Sequence, residues 1–311
     1  MKTVLITGGT GMVGQRLTAL LLRQGYKIII LSRGQTDALQ DNRSGVSYAH
    51  WDVEKGVIDP EAIRNANHVI HLAGAGVAEK RWTEKRKKEI RESRTASGAL
   101  LAKAIREIPN QISTVVSASA IGWYGADDKG MRTKGFTEEM PPADDFLGET
   151  CRLWEQSIQP VEELNKRLVI YRLGIVFSNT GGALNEFLKP LKGGIAAILG
   201  SGEQMISWIH IDDLCHLFLH AIENPKLHGV YNAVSPSPAT NKTVTLELAR
   251  LVRGRFFIPL HVPSFLLKWV LGEMSIEVLK SATVSSRKTE TAGFLFRYPT
   301  VQKALGHLFG K

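Results

Sequence analysis

Cysteine is scarce: the 311 residues hold two, Cys151 and Cys215. That is too few for a disulfide framework, and their spacing is not that of a metal knuckle, so no metal is expected. Each reads as a small buried apolar residue. No apolar run is long enough to cross a bilayer, and Val4-Leu5-Ile6 is too short for a secretory signal. The expectation is a cytoplasmic protein with no membrane partner. Repeats, low-complexity tracts and a Pro/Gly/Ser-rich linker are also missing, so any lobes are interleaved along the chain. Between Gly14 and Asp37 there is no Asp or Glu at all.

What is present is an ordinary globular composition, 43% apolar and 22% charged, with a net charge of +9. The basic residues gather at Lys80-Arg81 and Lys85-Arg86-Lys87-Lys88, followed by Arg91 and Arg94. Glu79, Glu84, Glu89 and Glu92 are interleaved with them, which reads as a solvated helix face with ion pairs. No nucleic-acid motif accompanies the charge, so no nucleic-acid partner is expected. A basic balance also suits phosphate-bearing ligands.

Short β-branched runs alternate with helical stretches, the pattern of a parallel sheet wrapped by helices. Strands are expected at 3–7, 27–32, 46–51, 68–73 and 113–118, and a sixth from 167 through 177. Helices are expected at 15–24, 85–106 and 144–163. After Ser178 glycines punctuate an irregular segment, then a strand at 208–210, a helix at 213–222 and a strand at 230–233 follow. Helices near 244–252, 263–271 and 276–279 complete the reading. The expected fold is α/β, a Rossmann-type doubly wound parallel sheet with a smaller, mostly C-terminal α/β substrate lobe. Residues 1–177 would form the cofactor domain, with 206–235 returning to it. Residues 178–205 and 236–311 would form the lobe.

Thr7-Gly8-Gly9-Thr10-Gly11-Met12-Val13-Gly14 fits Gly-x-Gly-x-x-Gly as Gly9, Gly11 and Gly14, and also places glycine at 8, 11 and 14. Glycine serves the tight turn, the close approach of backbone to pyrophosphate, and the packing of helix on strand. The helix N-terminus then offers free N–H groups to the anion. An expected strand before the octet and an expected helix after it give the pattern its context. An NAD site places an acid about 20 residues further on, for the ribose 2′-hydroxyl. Here Ser32-Arg33 stands instead, a hydroxyl and a guanidinium suited to a 2′-phosphate. NADP(H) is therefore the expected cofactor.

These residues, with His71-Leu72-Ala73-Gly74, Ser117-Ala118-Ser119-Ala120, Tyr171-Arg172-Leu173-Gly174-Ile175-Val176 and Trp208-Ile209-His210-Ile211-Asp212-Asp213, resemble an extended short-chain dehydrogenase/reductase. More narrowly, the chain is similar to the atypical "epimerase family protein" branch, of sugar-nucleotide epimerase-like character, within the NAD-dependent epimerase/dehydratase superfamily. Lys80-Arg81-Trp82-Thr83, Ser119–Gly125, Leu271-Gly272-Glu273-Met274, Ala292-Gly293-Phe294 and Arg297-Tyr298-Pro299 carry that likeness. The resemblance implies that Gly8, Thr10, Gly11, Met12, Val13, Gly14, Ser32, Arg33, Leu72, Ala73 and Gly74 line the cofactor. It adds Asp52 toward the adenine, Glu89 and Arg94 on the cofactor side, Ser117, Arg172, and Ile175 near the nicotinamide. A homodimer is a family expectation.

Ser119 aligns with the family hydroxyl that bonds the reacting oxygen. Its usual partners, a Tyr and a Lys four residues apart, are missing; the matching stretch is Phe146-Leu147-Gly148-Glu149-Thr150-Cys151. A lysine normally lowers the tyrosine pKa so that the phenol can exchange a proton at neutral pH. Tyr124 is a candidate substitute, with His210 and Glu149 as further titratable groups; packing is an equal reading of each. Trp82 and Trp123 offer rings for stacking on a flat substrate. Two functions stand: an NADP-dependent oxidoreductase or epimerase acting on a small carbonyl or hydroxyl compound, nucleotide-sugar-like ones included, or a non-catalytic NADP(H) sensor or regulatory protein.

Overall fold

The computed structural model describes residues 1–34 and 43–310. Strand and helix alternate through β1 (Thr3–Thr7), α1 (Met12–Arg23), β2 (Lys27–Ser32), β3 (Val46–Asp52), β4 (Val57–Ile58), α2 (Pro60–Asn65), β5 (His68–His71), α3 (Glu84–Glu107), β6 (Thr114–Ala120), α4 (Met131–Lys134), α5 (Phe146–Ile158) and β7 (Arg167–Leu173). There follow β8 (Ile175–Phe177), α6 (Ala183–Lys192), β9 (Ile195–Leu199), β10 (Met205–Ile206), β11 (Trp208–His210), α7 (Ile211–Glu223), β12 (Gly229–Ala233), β13 (Ala239–Thr240) and α8 (Asn241–Arg253). Last come β14 (Ile258–Val262), α9 (Ser264–Leu271), α10 (Ser275–Leu279), α11 (Arg287–Thr291) and α12 (Val301–Phe309).

The main sheet has eight strands in the order β12-β7-β6-β5-β1-β2-β3-β4. All neighbours are parallel except β3 and β4. Both faces are covered. β1 sends Val4 and Ile6 into one layer with Leu17 and Leu21 of α1 and Leu214 and Phe218 of α7. It sends Leu5 into the other, with Leu101 and Ile105 of α3. Full burial of each such side chain contributes about 1.5–3 kcal/mol, and it explains why these strands read as unbroken apolar runs. The chain reverses direction across the sheet between β1 and β5, which opens a crevice at their carboxyl ends.

Local chemistry sets the helix starts. Asp59, Thr83, Asp145, Thr240 and Thr300 each accept an amide of the first turn of the helix they precede. Among the described residues no helix is long and apolar enough to cross a membrane.

Four expectations about elements change. The strand expected through 177 breaks at Gly174, where a Cβ would lie 2.8 Å from the Ser207 oxygen. Beyond the break, β8 leaves the main sheet and pairs with β11. The helix expected through 163 ends at Ile158 and gives way to a 3-10 turn containing Pro160, since proline lacks the amide that an α-helix needs. The irregular segment after Ser178 contains α6 and β9, and β9 pairs in parallel with the unexpected β14. The chain also closes on a helix, α12, that packs against α8.

Candidate functional site

The opening octet forms the turn from β1 into α1. Gly8 has φ +69°, and a Cβ there would lie 2.9 Å from the Leu72 backbone. At Gly14 a Cβ would lie 2.4 Å from the Gly8 oxygen, so only glycine lets α1 sit this close to the strand. Gly11 is the N-cap; no side chain caps α1, and its first turn holds no acid. The leading amides and the positive end of the helix dipole are thus left to an anionic ligand. Gly182, with φ +74°, packs over this turn: a Cβ on it would lie 3.2 Å from Met12 Cε. The Gly181-Gly182 pair was visible only as punctuation in the sequence.

Across the crevice, Thr7 ties β1 to β5. Its hydroxyl accepts the amides of Leu72 and Ala73 at 3.1 and 3.2 Å and donates to His71 Nδ1 at 2.7 Å. Ser97 Oγ donates to the carbonyls of Ser93 and Arg94, so it accepts from His71 Nε2 at 3.3 Å. Every polar atom of the ring is used by the neutral imidazole, and burial pushes its pKa down to about 3. This clamp fixes the Leu72–Gly74 turn facing Gly8. Sequence reasoning noticed His71 only as part of a family motif.

At the end of β2, Ser32 is half-buried and accepts the Gly34 amide. Arg33 is exposed, and among the described residues it has no ion-pair partner. Asp52 ends β3 and accepts the Lys55 amide, which holds its carboxyl below the usual range. Ile175 opens β8 and is 37% exposed.

The remaining expected site residues make the following contacts. Arg94 is buried against Gly74, donates to the carbonyls of Ala75 and Ile90, and lies over the Trp154 ring. Glu89 is exposed and pairs with Arg86 at 2.7 Å. Ser117 is buried and donates to the Ala118 carbonyl. Arg172 is buried and grips Glu155 through Nε and Nη2 at 2.8 and 3.0 Å. It also donates to the Tyr124 hydroxyl and the Glu138 carbonyl, and stacks 3.5 Å from the Trp123 ring centre.

The expected catalytic hydroxyls belong to this same network. Ser119 Oγ, fully buried, donates to Glu155 at 2.7 Å. Tyr124 is 1% exposed; it donates to Asn232 at 2.8 Å, and burial pushes its phenol up to about 12. Both hydroxyls are bonded within the network around the Arg172–Glu155 pair, on which β6, β7 and α5 converge. His210 is likewise buried, bonded to the Asp212 amide and His307, and half-buried Glu149 pairs with Arg152.

The stretch of α5 that matches the missing Tyr/Lys pair presents two faces. Phe146 packs edge-on against Trp82, and Thr150 donates back to the Phe146 carbonyl. Leu147 and Cys151 face Gly122 instead, and Cys151 Sγ lies 3.6 Å from the Ala120 oxygen. Burial raises that thiol to about 12. This face is apolar, and neither face holds a Tyr/Lys pair. A hollow of about 850 Å3 lined by Thr3, Tyr26, Lys27 and Asn67 opens at the opposite, amino-terminal end of the strands.

Comparison with known proteins agrees with this architecture. The chain is 34% identical over 306 residues to epimerase family protein YfhF of Bacillus subtilis, covering 98% of this chain and 97% of that one. It is 35% identical over 312 residues to epimerase family protein SAR0825 of Staphylococcus aureus, covering both chains in full. The crystal structure of human epimerase family protein SDR39U1 (isoform 2) with NADPH superposes with a TM-score of 0.83 at 31% identity, covering 98% of each chain. Residues 262–308 match a domain of unknown function, DUF1731. With residues 4–234 matching its description, the chain belongs to the NAD dependent epimerase/dehydratase family.

Proposed function

We propose that this protein binds NADP(H) in the crevice between β1 and β5. The observation that carries the reading is the start of α1: a glycine N-cap, no side-chain cap and no first-turn acid, beside a turn where Gly8 and Gly14 bring backbone close. Those amides suit a pyrophosphate. Exposed Arg33 and the Ser32 hydroxyl suit a 2′-phosphate, and no carboxylate stands there to prefer a 2′-hydroxyl. The NADPH in the human relative's structure supports the same choice. Leu72, Ala73 and Gly74 form the opposite wall, held by Thr7 and His71.

A bound nicotinamide supplies hydride transfer. The residues of this chain bind and orient it, and Ile175 with the apolar Leu147–Cys151 face keeps water from the neighbouring space. In this reading the protein is an oxidoreductase or epimerase for a small carbonyl or hydroxyl compound, and residues 178–205 and 236–311 serve as its substrate lobe. In this reading Ser119 and Tyr124 brace the buried Arg172–Glu155 pair rather than bond the reacting oxygen. A second reading, a non-catalytic NADP(H) sensor, is favoured by one observation: the α5 side chains that border Gly122 are Leu147 and Cys151, an apolar group and a thiol that burial raises to about 12. Turnover of a carbonyl panel with NADPH separates the two. Binding of NADPH no tighter than NADH would sink both.

A further inference from the structure

The face left over by this assignment lies in the C-terminal part of the chain. In the β9–β14 pair, Ile195, Ala197 and Leu199 stand opposite Ile258, Leu260 and Val262. Ala196 and Ile198, which alternate with the first three, point into the core beneath. The outward face of this small sheet is therefore wholly apolar. Ile258 is 70% exposed and Leu260 52%.

The chain runs directly from this sheet into α9, Ser264-Phe265-Leu266-Leu267-Lys268-Trp269-Val270-Leu271. Only Leu267 is buried; Phe265 and Trp269 are 75% and 77% exposed. Phe256, just before β14, is also exposed, at 84%. A helix with six apolar residues in eight ordinarily buries most of them, and a contiguous exposed patch of this kind marks an interaction site.

The charge around the patch selects the occupant. Along the stretch that leads into and carries the patch, residues 241–272, the only acid is Glu247, against Lys242, Arg250, Arg253, Arg255 and Lys268. Glu247 is itself paired with Arg250. Arg253 reaches the start of β9 beside Gly194, and Arg81 donates to the Trp269 carbonyl at the far end of α9. Glu273 and Glu277, which follow, are taken by Lys87 and Lys280. A second copy seated on this face would set two basic rims side by side, which costs free energy. An anionic bilayer offers both complements at once: acyl chains for the aromatic and aliphatic side chains, and headgroup charge for the rim.

We propose that this face, β9–β14 with α9, seats the protein on an anionic phospholipid surface. Phe265 and Trp269 enter the headgroup–acyl boundary, and Arg253, Arg255 and Lys268 lie against the headgroups. The expectation of no membrane partner rested on the missing spanning run, and seating on a surface needs none.

The test uses the full chain with sedimenting vesicles of pure phosphatidylcholine and of phosphatidylcholine mixed with phosphatidylglycerol. The expected result is sedimentation with the anionic vesicles, reversed by high salt, and little with the neutral ones. Phe265→Ser with Trp269→Ser abolishes binding. Arg253→Gln, Arg255→Gln and Lys268→Gln together weaken it on the order of 100-fold. Unchanged circular dichroism and urea midpoints show that these exposed substitutions leave the fold intact. No binding to anionic vesicles, or binding that both variant sets retain, overturns the proposal. So does a concentration-dependent dimer in solution that Trp269→Ser dissolves, which would assign the face to a second copy.

Discussion

The Ser119 hydroxyl, fully buried, donates to the Glu155 carboxylate across 2.7 Å. Arg172 closes on the same carboxylate with two nitrogens, so one buried charge pair joins β6, β7 and α5. Tyr124 and Asn232 extend the network to β12, and Asn232 also donates to the Ser285 carbonyl. The two hydroxyls expected to do chemistry are bonded into this network, and Asn232 carries it on to the C-terminal segment.

Ser119→Ala is therefore expected to act on stability. Loss of a hydrogen bond to a charged acceptor lowers unfolding free energy by about 1.5–3 kcal/mol. Glu155→Gln, which strands the Arg172 guanidinium, costs about 3–5 kcal/mol. Urea denaturation measures both. NADPH affinity of Ser119→Ala stays at the wild-type value in a fluorescence titration, and a large loss of affinity there would place Ser119 at the cofactor site.

Arg33→Glu weakens NADPH binding and leaves NADH binding nearly unchanged. A charge-assisted bond to phosphate contributes about 1.5–3 kcal/mol, or roughly 10- to 100-fold in affinity. Parallel titrations of the two cofactors read the ratio. Equal loss for both would remove Arg33 from the 2′-phosphate.

Gly8→Ala probes the turn itself. An L side chain at φ +69° costs about 1–2 kcal/mol, and its Cβ would press on the Leu72 backbone. The expected outcome is a loss of about tenfold or more in NADPH affinity, with far-ultraviolet circular dichroism unchanged. Wild-type affinity in this variant would place the dinucleotide somewhere other than this turn.

Acid should loosen the fold before carboxylates titrate. Burial lowers His71 to about 3, and His68 and His210 to about 4, from an ordinary value of 6.5. A depressed folded pKa means the unfolded chain takes up the proton first. The stabilisation from neutral burial is complete above pH 6.5 and is lost as pH falls toward 4 and 3. Each histidine contributes a slope of up to about 1.4 kcal/mol per pH unit in that window. Urea midpoints between pH 7 and pH 5 measure it, and His71→Asn should show a shallower slope by about one proton. An identical slope in that variant would mean that His71 titrates normally.

Much of the fold is legible in the chain because its signals are local. Buried parallel strands need unbroken β-branched runs, and Val4-Leu5-Ile6 and Ile28-Ile29-Ile30 supply them. The phosphate loop is legible in part for the same reason: Gly14 answers to Gly8 and Gly9 to Ile30 of the next strand, although Gly8 meets Leu72 some 60 residues on. The β9–β14 pair escapes such reading, since Ile195–Leu199 and Ile258–Val262 meet only across some 60 intervening residues, and neither run by itself tells strand from buried helix. The bend at Gly174 escapes it as well, because the oxygen that excludes a side chain there belongs to Ser207.

The sequence by itself determined the parallel α/β sheet, the glycine turn into α1 and the basic Ser32-Arg33 pair, since backbone conformation and charge are written residue by residue. Only the tertiary structure decided where the polar side chains point. Ser119, Tyr124 and Arg172 look like site residues in order along the chain, yet the buried Glu155 carboxylate draws all three into one network. A charge in a low-dielectric interior must be answered by whatever donors surround it, and which donors those are depends on how α5 packs on β6 and β7.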